Sequence, residues 1–188
     1  MRRIGVVLFL LPLVFFGCGE EGVQTDIEKT TTVSFDILKD QVNATADGAY
    51  QLKQTIDFAA EDFQQYINDT RSFRIEKLQF EIKGVDETLP ISLINDLAIA
   101  LNVDNTTYQF LQADNVRLEN TARVLLYEVN NPINILNEEQ IATLERIADY
   151  VLNQRPMDFN FDAIFAGRLY SNFTITFYFD MVAQVDLD

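Results

Sequence analysis

The chain contains no histidine and no tryptophan, and it has one cysteine among 188 residues. Without histidine, the usual general base, the Ser-His and Cys-His nucleophile pairs and nearly every zinc site are excluded. No P-loop occurs among the seven glycines, which argues against a nucleotide enzyme. The sequence therefore predicts no cofactor and no metal ion, and it nominates no catalytic residue.

Basic residues are also scarce. Residues 1–17 hold two arginines and no acid, so the rest of the chain carries 12 basic against 29 acidic side chains, a formal charge of −17. This charge argues against nucleic-acid partners, because affinity for phosphates comes from clustered Lys and Arg. It argues equally against adhesion to anionic headgroups.

The first residues have the pattern of a secretory signal. Met1, Arg2 and Arg3 form a positive segment, and the thirteen residues from Ile4 to Phe16 carry no charge. A helix of thirteen residues would cover roughly 20 Å of a hydrocarbon core about 30 Å thick, which is too little to span it. Residues 1–17 are therefore predicted to be a signal peptide that takes no part in the fold.

The only cysteine directly follows this apolar run. Phe15-Phe16-Gly17-Cys18 resembles the lipobox of bacterial lipoproteins, although Phe15 stands where leucine is usual and Phe16 where a small residue is preferred. The resemblance implies that Cys18 is acylated and begins the mature chain. A thiolate suits this role because it is a strong nucleophile. The alternatives are a buried or free thiol after a plain signal, and an uncleaved anchor.

The residues after Cys18 bear on which membrane holds the protein. Gly19 stands where an aspartate would resemble an inner-membrane retention signal, and Glu20-Glu21 resemble the acidic export tags of some surface lipoproteins. The resemblance implies an outer-membrane lipoprotein on the periplasmic or the cell-surface face, with membrane contact through the N-terminal lipid alone. An alternative is that the two glutamates only solvate the start of a linker.

The sequence divides into a tether and one domain. Residues 18–32 lack periodicity and are rich in Glu, Thr, Gln and Gly, which predicts a flexible tether. Regular structure is expected to begin near Val33. Fifteen Phe and seven Tyr supply ample apolar area, so residues 33–188 are expected to form a single domain.

Alternating apolar residues predict strands along most of this domain. Residues 33–37 and 50–58, with a turn at Asp47-Gly48, indicate a hairpin. Residues 73–82 alternate in two phases separated by Glu76-Lys77, which is typical of a β-bulge. A strand is favoured over a helix for the second half of residues 89–103, although both patterns fit. The remaining strands are predicted near residues 108–111, 116–118, 122–127, 157–166 and 173–187.

The clearest helix signal lies at residues 138–153. Asn137 is the expected N-cap and Gln140 its capping-box partner. One apolar stripe along this helix is expected to pack on a sheet, with a partner-protein groove as the alternative. A short helix is also predicted at residues 61–68. The long terminal strand, residues 173–187, is expected to pair with residues 157–166 through a turn at residues 167–172.

Together these elements predict a mainly β fold, an Ig-like two-sheet β-sandwich with one packed amphipathic helix. Asp158-x-Asn160-x-Asp162 imitates the opening of a calcium loop, but Ala163 and Leu169 occupy the places that need Gly and Glu, so the polar face of a strand is favoured. Asp86-Glu87 and Asp104-Asn105 are interpreted as solvated turns.

We expect a lipid-anchored lipoprotein of the cell envelope that acts as a non-enzymatic binding or structural module, with a protein or a glycan as its partner. Two other classes stay open. One is an extracellular hydrolase that acts through two carboxylates, which the sequence cannot nominate among 29 acids. The other is a surface-fibre subunit whose long terminal strand adds to the sheet edge of a neighbour.

Overall fold

A computed structural model of the chain describes residues 23–56, 68–103, 105–153 and 157–187. The predicted signal peptide, Cys18, Asp104 and residues 61–67 of the predicted short helix lie outside the described residues. The elements are β1 (Val23–Ile37), α1 (Lys39–Val42), β2 (Ala49–Ile56), β3 (Thr70–Lys83), β4 (Leu93–Val103), β5 (Thr106–Arg117), β6 (Val124–Glu128), α2 (Glu138–Leu152), β7 (Met157–Phe165) and β8 (Phe173–Leu187).

The strands form two antiparallel four-stranded sheets. Sheet A has the order β1-β8-β3-β6, and sheet B has the order β2-β7-β4-β5. Consecutive strands alternate between the sheets, except that β4 and β5 are neighbours in sheet B. Eight strands connected in this way form a jelly roll. The predicted two-sheet β-sandwich is thus confirmed, and its connectivity is that of a jelly roll.

The terminal strand β8 is the centre of sheet A. It pairs with β1 along its whole length on one side and with β3 on the other. All its inward positions are apolar and buried, from Phe173 to Val185, so the predicted fifteen-residue strand is confirmed. Because both edges of β8 are paired within the domain, it cannot add to the sheet of a neighbour.

The predicted pairing of β8 with residues 157–166 is wrong. Those residues do form a strand, β7, but it belongs to sheet B and pairs with β2 and β4. The two strands instead face each other across the core, where the ring centroids of Phe159 and Phe179 lie 5.8 Å apart. Loop 166–172 therefore carries the chain from one sheet to the other.

The predicted hairpin of β1 with β2 is also wrong. Both strands exist, but β1 pairs with β8 and β2 pairs with β7. Loop 38–48, which contains the unpredicted α1, crosses between the sheets. The hydroxyl of Tyr50 in β2 donates a hydrogen bond to Gln41 of α1 at 2.7 Å, which ties the crossing to the second sheet.

Regular structure begins ten residues before the expected position at Val33. Val23 already pairs opposite Leu187, so residues 23–32 of the predicted tether belong to β1. The sequence pattern did not show this strand because three of the positions that share a face with the buried Val33 are the polar residues Thr25, Lys29 and Thr31. Four residues are left between Cys18 and β1.

Two local predictions in the middle of the chain are confirmed. The register of β3 against β8 shifts between Ile75 and Lys77, which places the β-bulge at Glu76. The second half of residues 89–103 is β4. The short strands expected at residues 108–111 and 116–118 are one strand, β5, whose register against β4 also shifts and so breaks the alternation.

Helix α2 closes one side of the sandwich. The capping box is present, because Gln140 N donates to Asn137 Oδ1 at 3.0 Å and Asn137 N donates to Gln140 Oε1 at 2.9 Å. The helix contacts β3 of sheet A and β5 of sheet B. Its stripe is buried, with Ile147 fully covered, so packing on the sheets is confirmed.

Candidate functional site at one end of the sandwich

Four loops meet at one end of the jelly roll, since the odd-numbered strands all run toward it. They are loop 38–48 after β1, loop 84–92 after β3, loop 118–123 after β5 and loop 166–172 after β7. We call this group the four-loop end. Loops held on a rigid sandwich are the common location of binding sites.

Asn43 joins the first loop to the last. Its side-chain Nδ2 donates to the carbonyl of Leu169 at 2.8 Å, and its Oδ1 accepts from Leu169 N at 2.8 Å. Lys39 N also donates to Asn172 Oδ1 at 2.9 Å. Asn43 thus satisfies both backbone polar groups of Leu169 in the neighbouring loop, which fixes the two loops relative to each other.

Asn120 repeats this arrangement between the second and third loops. Its Nδ2 donates to the carbonyl of Val85 at 2.8 Å and to Glu87 Oε1 at 2.9 Å, while its Oδ1 accepts from Val85 N at 3.0 Å. The buried Ser92 links three loops, because its hydroxyl accepts from Tyr170 N at 3.3 Å and its carbonyl accepts from Leu118 N at 3.0 Å. The four-loop end is therefore a cross-linked surface.

Gly48 lets the first loop approach the end of β7. Its φ is +73°, in the left-handed region, and its carbonyl accepts a hydrogen bond from Phe165 N at 3.1 Å. The turn expected at Asp47-Gly48 is present, with Asp47 Oδ1 accepting from Ala49 N at 3.1 Å. It serves a crossing between sheets instead of a hairpin.

Apolar side chains are exposed on this rigid surface. Leu38, Leu89 and Ile91 are 41, 39 and 52% exposed. A groove of about 240 Å³ lies beside Leu89, and a second hollow of about 640 Å³ lies between loops 38–48 and 166–172. Apolar residues grouped on ordered loops are typical of a surface that binds another molecule.

Asp86 brings a fixed negative charge to the same surface. Thr88 Oγ1 donates to Asp86 Oδ1 at 2.6 Å and Thr88 N donates to it at 3.0 Å, and these bonds lower the pKa of the Asp86 carboxyl. The predicted solvated turn at Asp86-Glu87 is present. Asp86 is therefore a carboxylate at neutral pH and suits binding better than acid catalysis.

A second polar cluster lies on the outer face of sheet A. Lys83 Nζ and Tyr178 Oη each lie 2.9 Å from Glu81 Oε2, and the guanidinium of Arg123 lies 3.8 Å from the ring centroid of Tyr178. Hydrogen bonds from Lys83 and Tyr178 lower the pKa of Glu81. The cluster satisfies its own charges and offers no free catalytic group.

The imitation of a calcium loop is a strand, as the sequence favoured. Phe159 and Phe161 are buried in the core, while Asp158, Asn160 and Asp162 lie on the outer face of sheet B. Asp158 pairs with Lys53 and accepts from Thr55, and these bonds lower its pKa. Over the described ranges, no group of three His, Cys, Asp or Glu residues comes together as metal ligands.

A carboxylate-dependent hydrolase needs one carboxyl whose pKa is raised, so that it can act as a general acid. In the part of the chain that the structure describes, the carboxyl groups with a clear pKa shift are Glu81, Asp86 and Asp158, and all three pKa values are lowered. None of these three carboxyls is therefore suited to act as the general acid of such an enzyme.

Across the described residues, no helix is both long enough and apolar enough to cross a bilayer.

No family model and no curated protein sequence matches the chain. Among the solved structures that resemble it are two from viruses. A structure of Desmodium yellow mottle tymovirus is 12% identical, with a TM-score of 0.40, over all of this chain and 93% of the other. A structure of mud crab tombus-like virus is 11% identical, with a TM-score of 0.35, over the same shares. The jelly-roll assignment rests on the strand order of this protein itself.

Sequence reasoning missed the four-loop end. Its linking residues, Asn43 and Asn120, form hydrogen bonds to partners 126 and 35 residues away, so no local sequence pattern indicates their role. The available signals, Asp47-Gly48, Asp86-Glu87 and the turn expected at residues 167–172, indicated turns without indicating the neighbours of those turns. Cys18, the predicted site of lipid attachment, lies outside the described residues.

Proposed function

We propose that this protein is a lipid-anchored lipoprotein of the cell envelope, and that its jelly roll is a non-enzymatic module that binds a partner through the four-loop end. The observation that carries the proposal is the position of Cys18. It is the only thiol, it directly follows the uncharged run of a signal peptide, and it lies five positions before the first strand.

Acylation at Cys18 would hold the domain at the outer membrane. Each buried methylene contributes about 0.8 kcal/mol, and a single acyl chain binds only reversibly, so the several chains typical of lipoproteins give a lasting anchor. With Cys18 consumed, no disulfide can form within the chain. The large continuous core of both sheets must then stabilise the domain without a covalent cross-link.

Binding is favoured over catalysis by the chemistry of the four-loop end. Side-chain hydrogen bonds hold its loops together, and its exposed groups include the apolar side chains of Leu38, Leu89 and Ile91. Exposed apolar groups on a fixed frame lose little conformational freedom on association. Such a surface fits a protein partner with an apolar patch of its own.

Metabolic labelling with a radioactive fatty acid tests the anchor. Wild-type cells should incorporate label into the protein, and the Cys18→Ser variant should not. Density-gradient separation of inner and outer membranes should place the wild-type protein with the outer membrane. Label retained in Cys18→Ser, or an unlabelled wild-type protein, would contradict the proposal.

Photo-crosslinking in cells tests the binding surface. A benzoylphenylalanine at Ile91 should give a discrete crosslinked band, and one at Ile133 should not. Ile133 is a matched control because it is also an exposed isoleucine, at 82%, but lies away from the four-loop end, in the loop that follows β6. Adducts at Ile133 alone would move the binding surface to that loop, and adducts at neither position would remove the assignment.

A further inference from the structure

We infer that the protein stands on the bilayer with the start of β1 toward the lipid and the four-loop end pointing away from it. This orientation rests on the proposed lipid at Cys18. The partner is the surface of the bilayer. The end of the jelly roll that faces this surface is defined by Val23, Thr70 and Leu187. We call this the anchor end.

Strand pairing places these three residues at one end of sheet A. Val23 pairs with Leu187, and Thr70 pairs with Val185 close by. From there β1 runs fifteen residues to Ile37, next to the four-loop end. At about 3.3 Å per residue, β1 separates the two ends of the sandwich by roughly 50 Å.

The chain between the lipid and the sandwich is too short to let the domain turn over and place the four-loop end against the bilayer. Five peptide steps lead from Cys18 to Val23, and a fully extended chain covers at most about 3.5 Å per step, so the lipid-bearing sulfur stays within roughly 20 Å of the anchor end. An inverted domain would need a reach close to the length of β1. The domain can therefore either stand upright on the bilayer or lie flat against it.

Charge disfavours lying flat on sheet B. Asp96, Asp114, Asp158 and Asp162 share its outer face, and Lys53 is the base that pairs there with Asp158. Anionic headgroups repel such a face.

Sheet A has the same acidic character at a groove with a volume of about 660 Å³. Four carboxylates and two lysines line this groove. They are Glu28, Glu76, Glu128, Asp180, Lys29 and Lys77.

The anchor end itself suits the headgroup region. Arg71 pairs with Asp186, and Arg74 lies 3.9 Å from Asp26, so charges of both signs alternate there. Mixed charge of this kind is not repelled by phosphate groups. The exposed apolar residues of the four-loop end are at the opposite end, where a partner beyond the membrane can reach them.

The absence of tryptophan makes the orientation measurable, because any introduced tryptophan is the only one in the chain. Gln24→Trp reports from the anchor end, Ile133→Trp from the middle and Ile91→Trp from the four-loop end. Ile133 is 82% exposed, and its loop leaves β6 at Glu128, which pairs with Lys77 midway along β3. Ser72→Trp is a second anchor-end probe in case Gln24→Trp does not fold.

Chains beginning at Cys18, which retain every described residue, would be coupled through that thiol to a maleimide lipid. The vesicles contain phosphatidylethanolamine, phosphatidylglycerol and a dansyl-labelled headgroup lipid. Energy transfer from tryptophan to dansyl should be strongest from Gln24→Trp, weaker from Ile133→Trp and weakest from Ile91→Trp. Uncoupled Cys18→Ser chains should give none.

Equal transfer from the three positions would mean that the domain lies flat, and the reverse order would mean that it is inverted. Either result overturns the inference. Chemical coupling separates this outcome from the proposed function, because lipid attachment in cells is tested by fatty-acid labelling and the orientation is tested on chains whose attachment is imposed.

Discussion

Gly48 and Phe165 approach each other backbone to backbone. A Cβ atom built on Gly48 would lie 2.6 Å from the carbonyl oxygen of Phe165, closer than real Cβ contacts allow. Together with the positive φ of Gly48, this contact explains why glycine occupies the crossing between the sheets. The contact also fixes loop 38–48 onto sheet B, and so it supports the whole four-loop end.

The first prediction follows from that contact. Gly48→Ala should lower the free energy of unfolding by about 2 to 3 kcal/mol, because alanine meets both the left-handed backbone and the Phe165 carbonyl. Gly167→Ala is the matched control, since Gly167 has φ +81° but nothing within 4 Å of its added Cβ. It should lose about 1 kcal/mol. Urea unfolding measures both, and equal losses would show that the contact has no effect.

Asn43→Ala should release loop 166–172 without unfolding the sandwich. The variant loses two hydrogen bonds to Leu169, each worth about 1 kcal/mol. Amide hydrogen exchange at Leu169 should become faster. The amide of Val85, which Asn120 holds in the same manner, should exchange as in the wild type. Unchanged protection at Leu169 would show that the Asn43 bonds do not hold the loop.

Two isoleucines that differ in burial should differ in how much they contribute to the free energy of unfolding. Ile147 of α2 is fully buried between the sheets, and Ile133 is 82% exposed. Ile147→Ala should lower the free energy of unfolding by about 3 kcal/mol through lost transfer energy and the cavity left behind. Ile133→Ala should change it by less than about 0.5 kcal/mol. The measurement is denaturant unfolding, in which the dependence of the free energy on denaturant concentration should be the same for each variant and the wild type. Similar losses of unfolding free energy in the two variants would contradict the packing of α2.

Tyr178→Phe should raise the pKa of Glu81 toward its ordinary value, because one of the two hydrogen bonds that lower it is removed. Since the folded pKa of Glu81 lies below the unfolded one, its stabilising contribution is present above the unfolded pKa and is lost as the pH falls through the folded pKa. The variant should therefore be less stable than the wild type at neutral pH, and the gap should narrow in acid.

Carboxyl-carbon NMR titration of Glu81, together with urea unfolding at neutral and acid pH, checks this prediction. Tyr170→Phe is the control, because it lies outside the cluster of Glu81, Lys83 and Arg123 and should leave the pKa of Glu81 unchanged. A stability gap that stays constant with pH would show that Tyr178 acts by packing and not through the Glu81 carboxylate.

Local signals predicted most elements and none of the long-range pairings. Helix α2 was visible because its capping box and stripe lie within sixteen residues, and β8 was visible because every inward position is apolar. The start of β1 was hidden because Thr25, Lys29 and Thr31 share the face of Val33. The predicted hairpins failed because β1 and β2 belong to opposite sheets, as do β7 and β8, and alternation does not indicate which sheet a strand joins.

The candidate surface was less predictable than the fold. Its loops are separated along the chain by 25 residues or more, and only the strand order brings them together. The predicted lipid-attachment site is the opposite case, since the lipobox resemblance is confined to residues 15–18. A local pattern can indicate a site within one short segment, but it cannot indicate a surface that four distant segments form.

The pairing of β1 with β8 also constrains when the protein can fold. Val23 of β1 pairs with Leu187 of β8, which follows it by 164 positions. Sheet A therefore cannot close until β8 is available, and such non-local pairing slows folding. If the proposed lipid holds the chain at Cys18, β1 would stay unpaired beside the bilayer until β8 arrived.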